Sequence, residues 1–210
     1  MKRSTLFFIL FLLLLATAVG YKQLSRDDAS SPLLPKSALL LAFGDSLTYG
    51  TGAEADESYP ARLEQRLGVR VINAGIPGEL SAEGLKRLPS LLEKHRPSVV
   101  LLCHGGNDIL KKSDNKALKA NLEAMVRLIQ ERGSGVVLIG VPQFSLFLSP
   151  HPAYEDIASA YGIPLENQIL SDVLGDAGTK SDQIHPNAAG YEKMAEAVEK
   201  VLRENYRLEE

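Results

Sequence analysis

Three short polar segments of the chain carry the residue types that acyl transfer requires. Ser46 lies in the first segment, Asn107 in the second, and Asp182 and His185 in the third. A serine hydroxyl becomes a good nucleophile when an imidazole removes its proton, and the imidazole needs an acceptor on its other nitrogen to fix its tautomer. Asp182 and His185 are three residues apart in a predicted turn, so they can contact each other locally. These residue types indicate a serine nucleophile with a histidine base.

Each segment also has an ordinary structural interpretation. Gly-Asp-Ser and Gly-Gly-Asn-Asp are common turn sequences. The segment Asp182–Pro186 could simply cap a final helix, because Pro186 and Asn187 are normal helix-start residues. The joint occurrence of the three segments, each beside a predicted strand or helix end, favours the catalytic interpretation.

Buried strands are predicted from short continuous apolar runs, which are typical of strands covered on both faces. Gly44 follows the first run and lies two residues before Ser46. The runs are Ser37–Phe43, Val69–Asn73, Ser98–Cys103 and Gly135–Gly140.

Helices are predicted between and after these runs. Apolar residues at spacings of three and four predict helices at about Asn115–Arg132 and Asn187–Asn205. The leucines from Leu85 to Leu92 suggest another helix, which Pro89 could kink or split. Strands alternating with helices predict an α/β fold with a parallel sheet covered on both faces, and sites of such folds lie at the carboxyl ends of the strands.

The motifs resemble those of a known family. GDSLTYG (residues 44–50), GGND (105–108) and DQIHP (182–186) are similar to the first, third and fifth blocks of the SGNH, or GDSL, hydrolases. The similarity is greatest to the bacterial thioesterase/lysophospholipase and arylesterase branch, and it extends from about Ala38 to Leu202. It implies a flavodoxin-like fold of three α/β/α layers around a central, mostly parallel five-stranded sheet.

The resemblance also implies a role for each polar residue. Ser46 attacks an ester carbonyl, His185 takes its proton and returns it to the leaving alcohol, and Asp182 orients His185. The backbone N–H groups of Ser46 and Gly78 and the side-chain amide of Asn107 form the oxyanion hole. No cofactor is implied.

The second block of the family corresponds to Asn73–Ser81, which contains two candidate glycines. The family's donor is the later glycine, which matches Gly78, and Gly75 is interpreted as a turn residue. The block departs from the family pattern, with Glu79 where Asp is usual, Pro77 where Ser is frequent and Leu80 where Thr is common.

Other polar residues are interpreted mainly as structural. Asp45 and Asp108 are expected to shape their loops. His104 is a rival base, although no acid lies near it in the sequence. His95 is interpreted as a helix end and His151 as a loop residue. The four histidines lack paired ligand spacing, so no metal site is predicted, and Cys103 is predicted to be a small core residue.

An apolar segment follows the fourth predicted strand and is bounded by prolines. It extends from Val141 to Tyr154 and contains Phe144, Leu146, Phe147, Leu148 and Tyr154. Two interpretations remain open, a short helix packed on the core or an apolar lip that binds an acyl chain or an aryl leaving group.

The N-terminus differs in character from the rest of the chain. Residues 1–20 combine basic Lys2 and Arg3 with an apolar stretch, which predicts a cleaved signal peptide or an uncleaved membrane anchor. Residues 21–36 are interpreted as a tether without structure, and residues 37–207 as the catalytic domain. Either form of the first segment places the domain in a bacterial cell envelope, outside the cytoplasm, with membrane association through that segment as one possibility.

The charge distribution argues against nucleic-acid binding. The chain of 210 residues has a formal net charge of −3, but its first 36 residues are net basic. The remaining residues carry 18 basic and 24 acidic side chains, and an acidic body is a poor partner for phosphate backbones.

The sequence therefore predicts a serine esterase. Its expected substrates are aryl or short- to medium-chain acyl esters, with thioesters and lysophospholipids included, so a small-molecule or lipid ester is the expected partner. One alternative is a carbohydrate O-deacetylase with the same triad. Another is a ligand-binding module whose triad is idle.

Overall fold

The computed structural model describes residues 31–143 and 148–209. The predicted signal peptide or anchor, and the predicted lip residues Phe144, Leu146 and Phe147, lie outside these ranges. Within them, no helix is long and apolar enough to cross a membrane.

Strands and helices alternate along the chain, as predicted. The described strands are β1 (Leu33–Leu34), β2 (Leu39–Gly44), β3 (Arg70–Gly75), β4 (Val99–Cys103), β5 (Gly135–Ile139), β6 (Pro142–Gln143), β7 (Ser149–Pro150), β8 (Leu165–Glu166) and β9 (Arg207–Leu208). The described helices are α1 (Ser46–Tyr49), α2 (Tyr59–Leu67), α3 (Ser81–His95), α4 (Gly106–Leu110), α5 (Asn115–Glu131), α6 (Pro152–Tyr161), α7 (Ile169–Gly175) and α8 (Ala188–Asn205), with 3₁₀ turns at Ala55–Glu57 and Ala177–Thr179.

Five strands form the central parallel sheet, in the order β3-β2-β4-β5-β8. This arrangement confirms the predicted five-stranded α/β fold. The first two strands of the sheet in chain order, β2 and β3, lie on one side, and the next strand, β4, pairs on the other side of β2. The chain therefore changes direction between β2 and β4, where ligand sites of open α/β sheets are found. Gly44 and Cys103 are paired in register there, so the loops that follow them start side by side.

The core lies between the sheet and helices on both faces. β4 is buried along its whole length, and β2 and β5 are buried except at their first residues. Helix α5 buries the predicted apolar stripe. Its buried residues are Leu118, Leu122, Met125, Val126 and Ile129. In α8 the predicted stripe is also buried, except that Val201 is only partly covered.

Helix α3 passes through Pro89 as one helix. The possibility that Pro89 splits it is therefore wrong. A proline inside a helix removes one backbone hydrogen bond and costs about 3 kcal/mol. Leu88 and Leu92 are buried on the sheet by this helix, and each apolar side chain of this size contributes roughly 1.5–3 kcal/mol when fully buried. Burial of these two leucines therefore offsets the free-energy cost of Pro89 in the helix.

The expectation that residues 21–36 have no structure is wrong at their C-terminal end. Leu33–Leu34 forms β1, which pairs in parallel with β9. Leu34 is buried against the core, and the N–H of Arg207 donates to the carbonyl of Pro32 at 3.0 Å. The folded domain therefore begins before residue 37 and extends to Leu208, because this pairing satisfies backbone groups and buries an apolar side chain.

We expect Leu34→Ala to lower the free energy of unfolding by about 2–5 kcal/mol, the usual cost of truncating a buried leucine. Leu33 is 52% exposed, so Leu33→Ala serves as the matched control and should change stability by less than about 0.5 kcal/mol. Urea denaturation of the two variants measures the difference. Equal small effects would show that β1 is not part of the cooperative domain.

Candidate active site

The turn between β2 and α1 places Ser46 at the start of a short helix. Asp45 caps this helix, because its Oδ1 accepts the N–H of Leu47 at 3.1 Å. Its Oδ2 accepts the N–H of Gly106 at 3.2 Å. Burial raises the pKa of Asp45. This carboxyl group joins the loop of Ser46 to the loop that follows β4, which is the loop-shaping role predicted for it.

The turn between β4 and α4 carries Asn107. The Nδ2 of Asn107 donates to the backbone carbonyl of Glu79 at 3.0 Å and lies 3.5 Å from Oδ2 of Asp45. Its neighbour Asp108 accepts the N–H and the hydroxyl of Ser81 at 2.8 and 2.7 Å. Asp108 thus anchors the start of α3 to this turn, and it is also a loop-shaping residue as predicted.

The loop after β3 contains both candidate glycines. The N–H of Glu79 donates to the carbonyl of Ile76 at 3.2 Å and closes a turn with Pro77 and Gly78 at its centre. Gly78 has a φ of 81°, and such a type II turn favours glycine at that place. Gly75, in contrast, is the last residue of β3. The interpretation of Gly75 as a turn residue is therefore wrong.

Packing against α1 explains why Gly75 is a glycine. A Cβ atom on it would lie 2.2 Å from the backbone nitrogen of Tyr49. The end of β3 can therefore approach α1 closely only without a side chain at this position.

The loop before α8 holds Asp182 and His185 in contact. The Oδ1 of Asp182 accepts the N–H groups of Ile184 and His185, each at 2.8 Å, and its Oδ2 lies 2.8 Å from Nδ1 of His185. Burial alone would raise the pKa of Asp182, but these hydrogen bonds outweigh it and lower the pKa. The ionised carboxylate can only accept, so it selects the His185 tautomer that is protonated on Nδ1.

The fold brings this pair to Ser46 across 139 positions of sequence. The Nε2 of His185 is 3.1 Å from Oγ of Ser46. With the proton on Nδ1, the free electron pair of Nε2 faces the hydroxyl, which is the geometry of proton abstraction. All three residues predicted to act together therefore lie within hydrogen-bond distance of a neighbour, from Asp182 to His185 and from His185 to Ser46.

A shallow cleft contains Ser46, Asn107 and His185. It is lined by Asp45, Ser46, Leu47, Gly106, Asn107, Leu110, Ile184 and His185. Three large apolar side chains close to these loops in sequence are exposed. Tyr49, Ile76 and Leu110 expose 56%, 45% and 38% of their surface. The cleft therefore combines polar groups at its centre with apolar surface at Leu110, while Tyr49 and Ile76 extend from adjoining loops.

His104 occupies a different position from that of a catalytic base. It is fully buried, and its Nε2 lies 3.0 Å from Oε2 of Glu79. No hydrogen bond joins it to Ser46 in the ranges that the structure covers. No acid lies near His104 in the sequence, but the fold supplies Glu79 from 25 positions away.

One residue of this region, Arg87, was missed in the sequence analysis. Arg87 on α3 donates to both carboxylate oxygens of Glu79, at 2.6 and 2.7 Å. The only signal was the departure at Glu79 from the family pattern, since a lone arginine on an amphipathic helix normally indicates a solvated face.

The remaining sequence interpretations have mixed outcomes. Cys103 is buried in β4, as predicted. His95 is the last residue of α3, as predicted. His151 is the N-cap of α6, where its Nδ1 accepts the N–H of Ala153 at 3.3 Å, and burial lowers its pKa.

Comparison with known proteins gives consistent matches. Residues 42–193 match the model of the GDSL-like Lipase/Acylhydrolase family. The chain is 33% identical over 180 residues to Esterase TesA of Pseudomonas aeruginosa, covering 78% of this chain and 87% of that protein. It is 32% identical over 177 residues to the Arylesterase of Vibrio mimicus, covering 79% of this chain and 88% of the other. The crystal structure of TesA is similar with a TM-score of 0.71 at 31% identity, covering 78% of this chain and 97% of that one.

Proposed function

Because this chain belongs to the GDSL-like lipase/acylhydrolase family and is a hydrolase of ester bonds, we propose that Ser46 is its nucleophile. The observation that carries the proposal is the continuous contact from Asp182 through His185 to Ser46, at 2.8 and 3.1 Å. His185 Nε2 takes the hydroxyl proton as Oγ bonds to the ester carbonyl carbon. The same nitrogen then gives this proton to the alcohol as the carbon–oxygen bond breaks.

The second half of the reaction reverses these proton transfers. The acyl group is then bound to Oγ of Ser46. His185 Nε2 removes a proton from a water molecule, which attacks the acyl carbon. The proton returns to Oγ as the carboxylic acid leaves, so the free enzyme is restored. Throughout, Asp182 stabilises the protonated imidazole.

Three donors are proposed to stabilise the oxyanion of each tetrahedral intermediate. The N–H of Ser46 is at the first position of α1, where helix N–H groups lack a partner in the helix. The N–H of Gly78 makes no hydrogen bond to any described residue. Asn107 donates one amide proton to the carbonyl of Glu79 at 3.0 Å, and its second faces Oδ2 of Asp45 at 3.5 Å, a long contact that the oxyanion would replace. Such donors act strongly because they are already oriented before the reaction.

The proposed substrates are aryl or short- to medium-chain acyl esters, with thioesters and lysophospholipids included. Leu110 lines the cleft, and Tyr49 and Ile76 are exposed on the loops beside it. Exposed apolar side chains near a polar centre fit an apolar acyl or aryl group. The names of the relatives, an esterase and an arylesterase, favour the same class.

A panel of nitrophenyl esters of increasing chain length, together with acetylated xylan, tests this assignment. We expect the ester series to be hydrolysed with a preference for short to medium chains, because the shallow cleft offers limited apolar surface. Release of acetate from xylan at a higher kcat/KM than from nitrophenyl acetate would instead identify a carbohydrate O-deacetylase, the alternative with the same triad.

Tyr154 of the same segment is buried in α6 and donates its hydroxyl to the carbonyl of His104 at 2.8 Å, so it belongs to the core. The lip formed by Phe144, Leu146 and Phe147 remains a prediction. If these side chains bind the acyl or aryl group, Phe144→Ala and Phe147→Ala will shift the chain-length preference of the ester panel. The matched control is Leu33→Ala, an exposed apolar residue outside the site. Chain-length profiles identical to that of the unmodified enzyme would exclude these residues from binding.

We further propose that the enzyme works in a bacterial cell envelope, exported by residues 1–20, whose basic start and apolar stretch support this location. Pro32 and Leu33 line a surface depression at the N-terminal ends of β4 and β5. Ser98, directly before β4, and Gly135, the first residue of β5, line the same depression. Ser46 and Asn107 come after the C-terminal ends of β2 and β4, at the opposite edge of the sheet from this depression. If residues 1–20 remain as an anchor, the cleft would therefore lie on the side of the domain away from it.

A further inference from the structure

We propose that Glu79 is a positioning residue that keeps the N–H of Gly78 and the side-chain amide of Asn107 oriented as oxyanion donors. This inference rests on the proposed function, because it concerns the same hydrolytic site. Glu79 follows Gly78 directly in sequence, and it contacts the loop of Asn107 through both its backbone and its side chain. It is not itself a catalytic residue, because no reacting atom contacts it.

The backbone of Glu79 connects the two donors. Its N–H closes the turn that contains Gly78, through a 3.2 Å bond to the carbonyl of Ile76. Its carbonyl accepts the Nδ2 of Asn107 at 3.0 Å. A displacement of Glu79 would therefore change the direction of the Gly78 N–H and release the Asn107 amide to rotate.

The carboxylate of Glu79 is the part that fixes this backbone in place. Only 7% of the residue is exposed. Arg87 binds both carboxylate oxygens, and its Nη2 also donates to the carbonyls of Ala74 at 2.8 Å and Gly44 at 3.2 Å. The guanidinium carbon lies 4.2 Å from the ring centre of Phe43. The carboxylate is therefore tied to the carboxyl ends of β2 and β3, directly before the loops of the site.

His104 ties the same carboxylate to the third loop. Its Nε2 lies 3.0 Å from Oε2 of Glu79, and the residue immediately precedes the Gly105-Gly106-Asn107 turn. A Cβ on Gly84 would lie 2.4 Å from this nitrogen, so α3 can approach His104 only because residue 84 is a glycine. Arg87 and His104 thus fix Glu79 relative to all three adjacent strand ends.

One observation favours a positioning role over general stabilisation. The Nδ1 of His104 is buried and makes no hydrogen bond to any described residue. A buried polar group without a partner costs free energy, so this nitrogen lowers the stability that His104 can contribute. Burial would raise the pKa of Glu79, but the bonds from His104 and Arg87 outweigh it and lower the pKa. The carboxylate therefore remains an acceptor at neutral pH.

Substitution of Glu79 by glutamine tests the proposal, because it removes the charge while keeping the shape. We expect Glu79→Gln to lower kcat on a nitrophenyl ester by about 10–100-fold, part of the loss from removing one donor, with KM changed much less. Glu79→Asp keeps the charge and should retain most of the activity. If Glu79→Gln does not fold, Arg87→Lys replaces it with the same expectation, because lysine keeps the charge but cannot form the two-pronged contact.

A double-mutant cycle with Asn107→Ala separates positioning from general damage. If Glu79 acts through Asn107, the combined variant should lose less activity than the product of the two separate losses. Independent losses that multiply would overturn the proposal, and so would unchanged kcat in Glu79→Gln.

The matched control is Glu199→Gln. The carboxylate of Glu199 also contacts two arginines, Arg66 and Arg203. Glu199 lies on helix α8 and does not line the cleft of Ser46. We expect this variant to alter stability without lowering kcat. The Ser46→Ala variant distinguishes the two levels of inference. Activity retained in Ser46→Ala would contradict the proposed function, whereas activity lost there but retained in Glu79→Gln contradicts only the role of Glu79.

Discussion

We expect the Ser46→Ala variant to fold normally and to hydrolyse no measurable ester. Removal of Oγ eliminates the atom that forms the acyl-enzyme, and His185 has no other nucleophile within the contacts described for it. Loss of a catalytic serine in a triad typically lowers kcat on the order of 10⁶-fold. The side chain is small and lies at a cleft, so its loss should have little effect on stability.

Labelling with a fluorophosphonate ester tests the reactivity of Oγ of Ser46 directly. The unmodified enzyme should be labelled on Ser46, and Ser46→Ala should not be labelled at all. Ser98→Ala, which changes an exposed serine next to β4, is the matched control and should be labelled normally. Absence of labelling in the unmodified protein would favour the ligand-binding module with an idle triad.

The second large effect is expected for Asn107→Ala. This variant should remain folded and active but with kcat reduced by about 10²–10³-fold, the usual loss when one oxyanion donor is removed. The 3.1 Å contact between His185 and Ser46 does not involve Asn107, so we expect the nucleophile to remain activated in this variant. What is lost is the stabilisation of the charge that develops on the substrate oxygen.

Steady-state kinetics on a nitrophenyl ester and thermal unfolding check this expectation together. Asn205→Ala provides the control, because its amide donates to the backbone carbonyl of Val201 at the end of α8, at 2.8 Å. A turnover number that is unchanged in Asn107→Ala would remove this residue from the proposed oxyanion hole. Complete loss of folding would show that its bond to Glu79 is primarily structural.

Much of the fold follows from local patterns that do not need tertiary information. Continuous apolar runs marked four of the five sheet strands to within one or two residues. The prediction of burial on both faces is confirmed for β2, β4 and β5. It is wrong for β3, which is at the edge of the sheet and has no fully buried residue. The spacing of apolar residues likewise marked α5 and α8. The fifth strand, β8, has only two residues, which is too short for any periodicity to be visible.

Elements that depend on distant partners could not be predicted in this way. β1 is a two-residue strand whose partner, β9, lies at the other end of the domain. Pro89 in isolation indicates a break, but burial of the neighbouring leucines keeps α3 intact. In both cases the deciding free energy comes from packing across the molecule.

The sequence by itself determined the reacting groups and the edge of the sheet at which they meet. Asp182 and His185 contact each other because a turn spans three residues, and Ser46 and Asn107 follow strands whose carboxyl ends lie at the same edge of a parallel sheet. That these two strands are neighbours follows from the observed strand order. Only the tertiary structure decided what surrounds them. Glu79 contacts Arg87, which is 8 positions away on α3, and His104, which is 25 positions away and directly follows β4. No local rule relates such residues, because their distances depend on how closely α3 packs against the sheet.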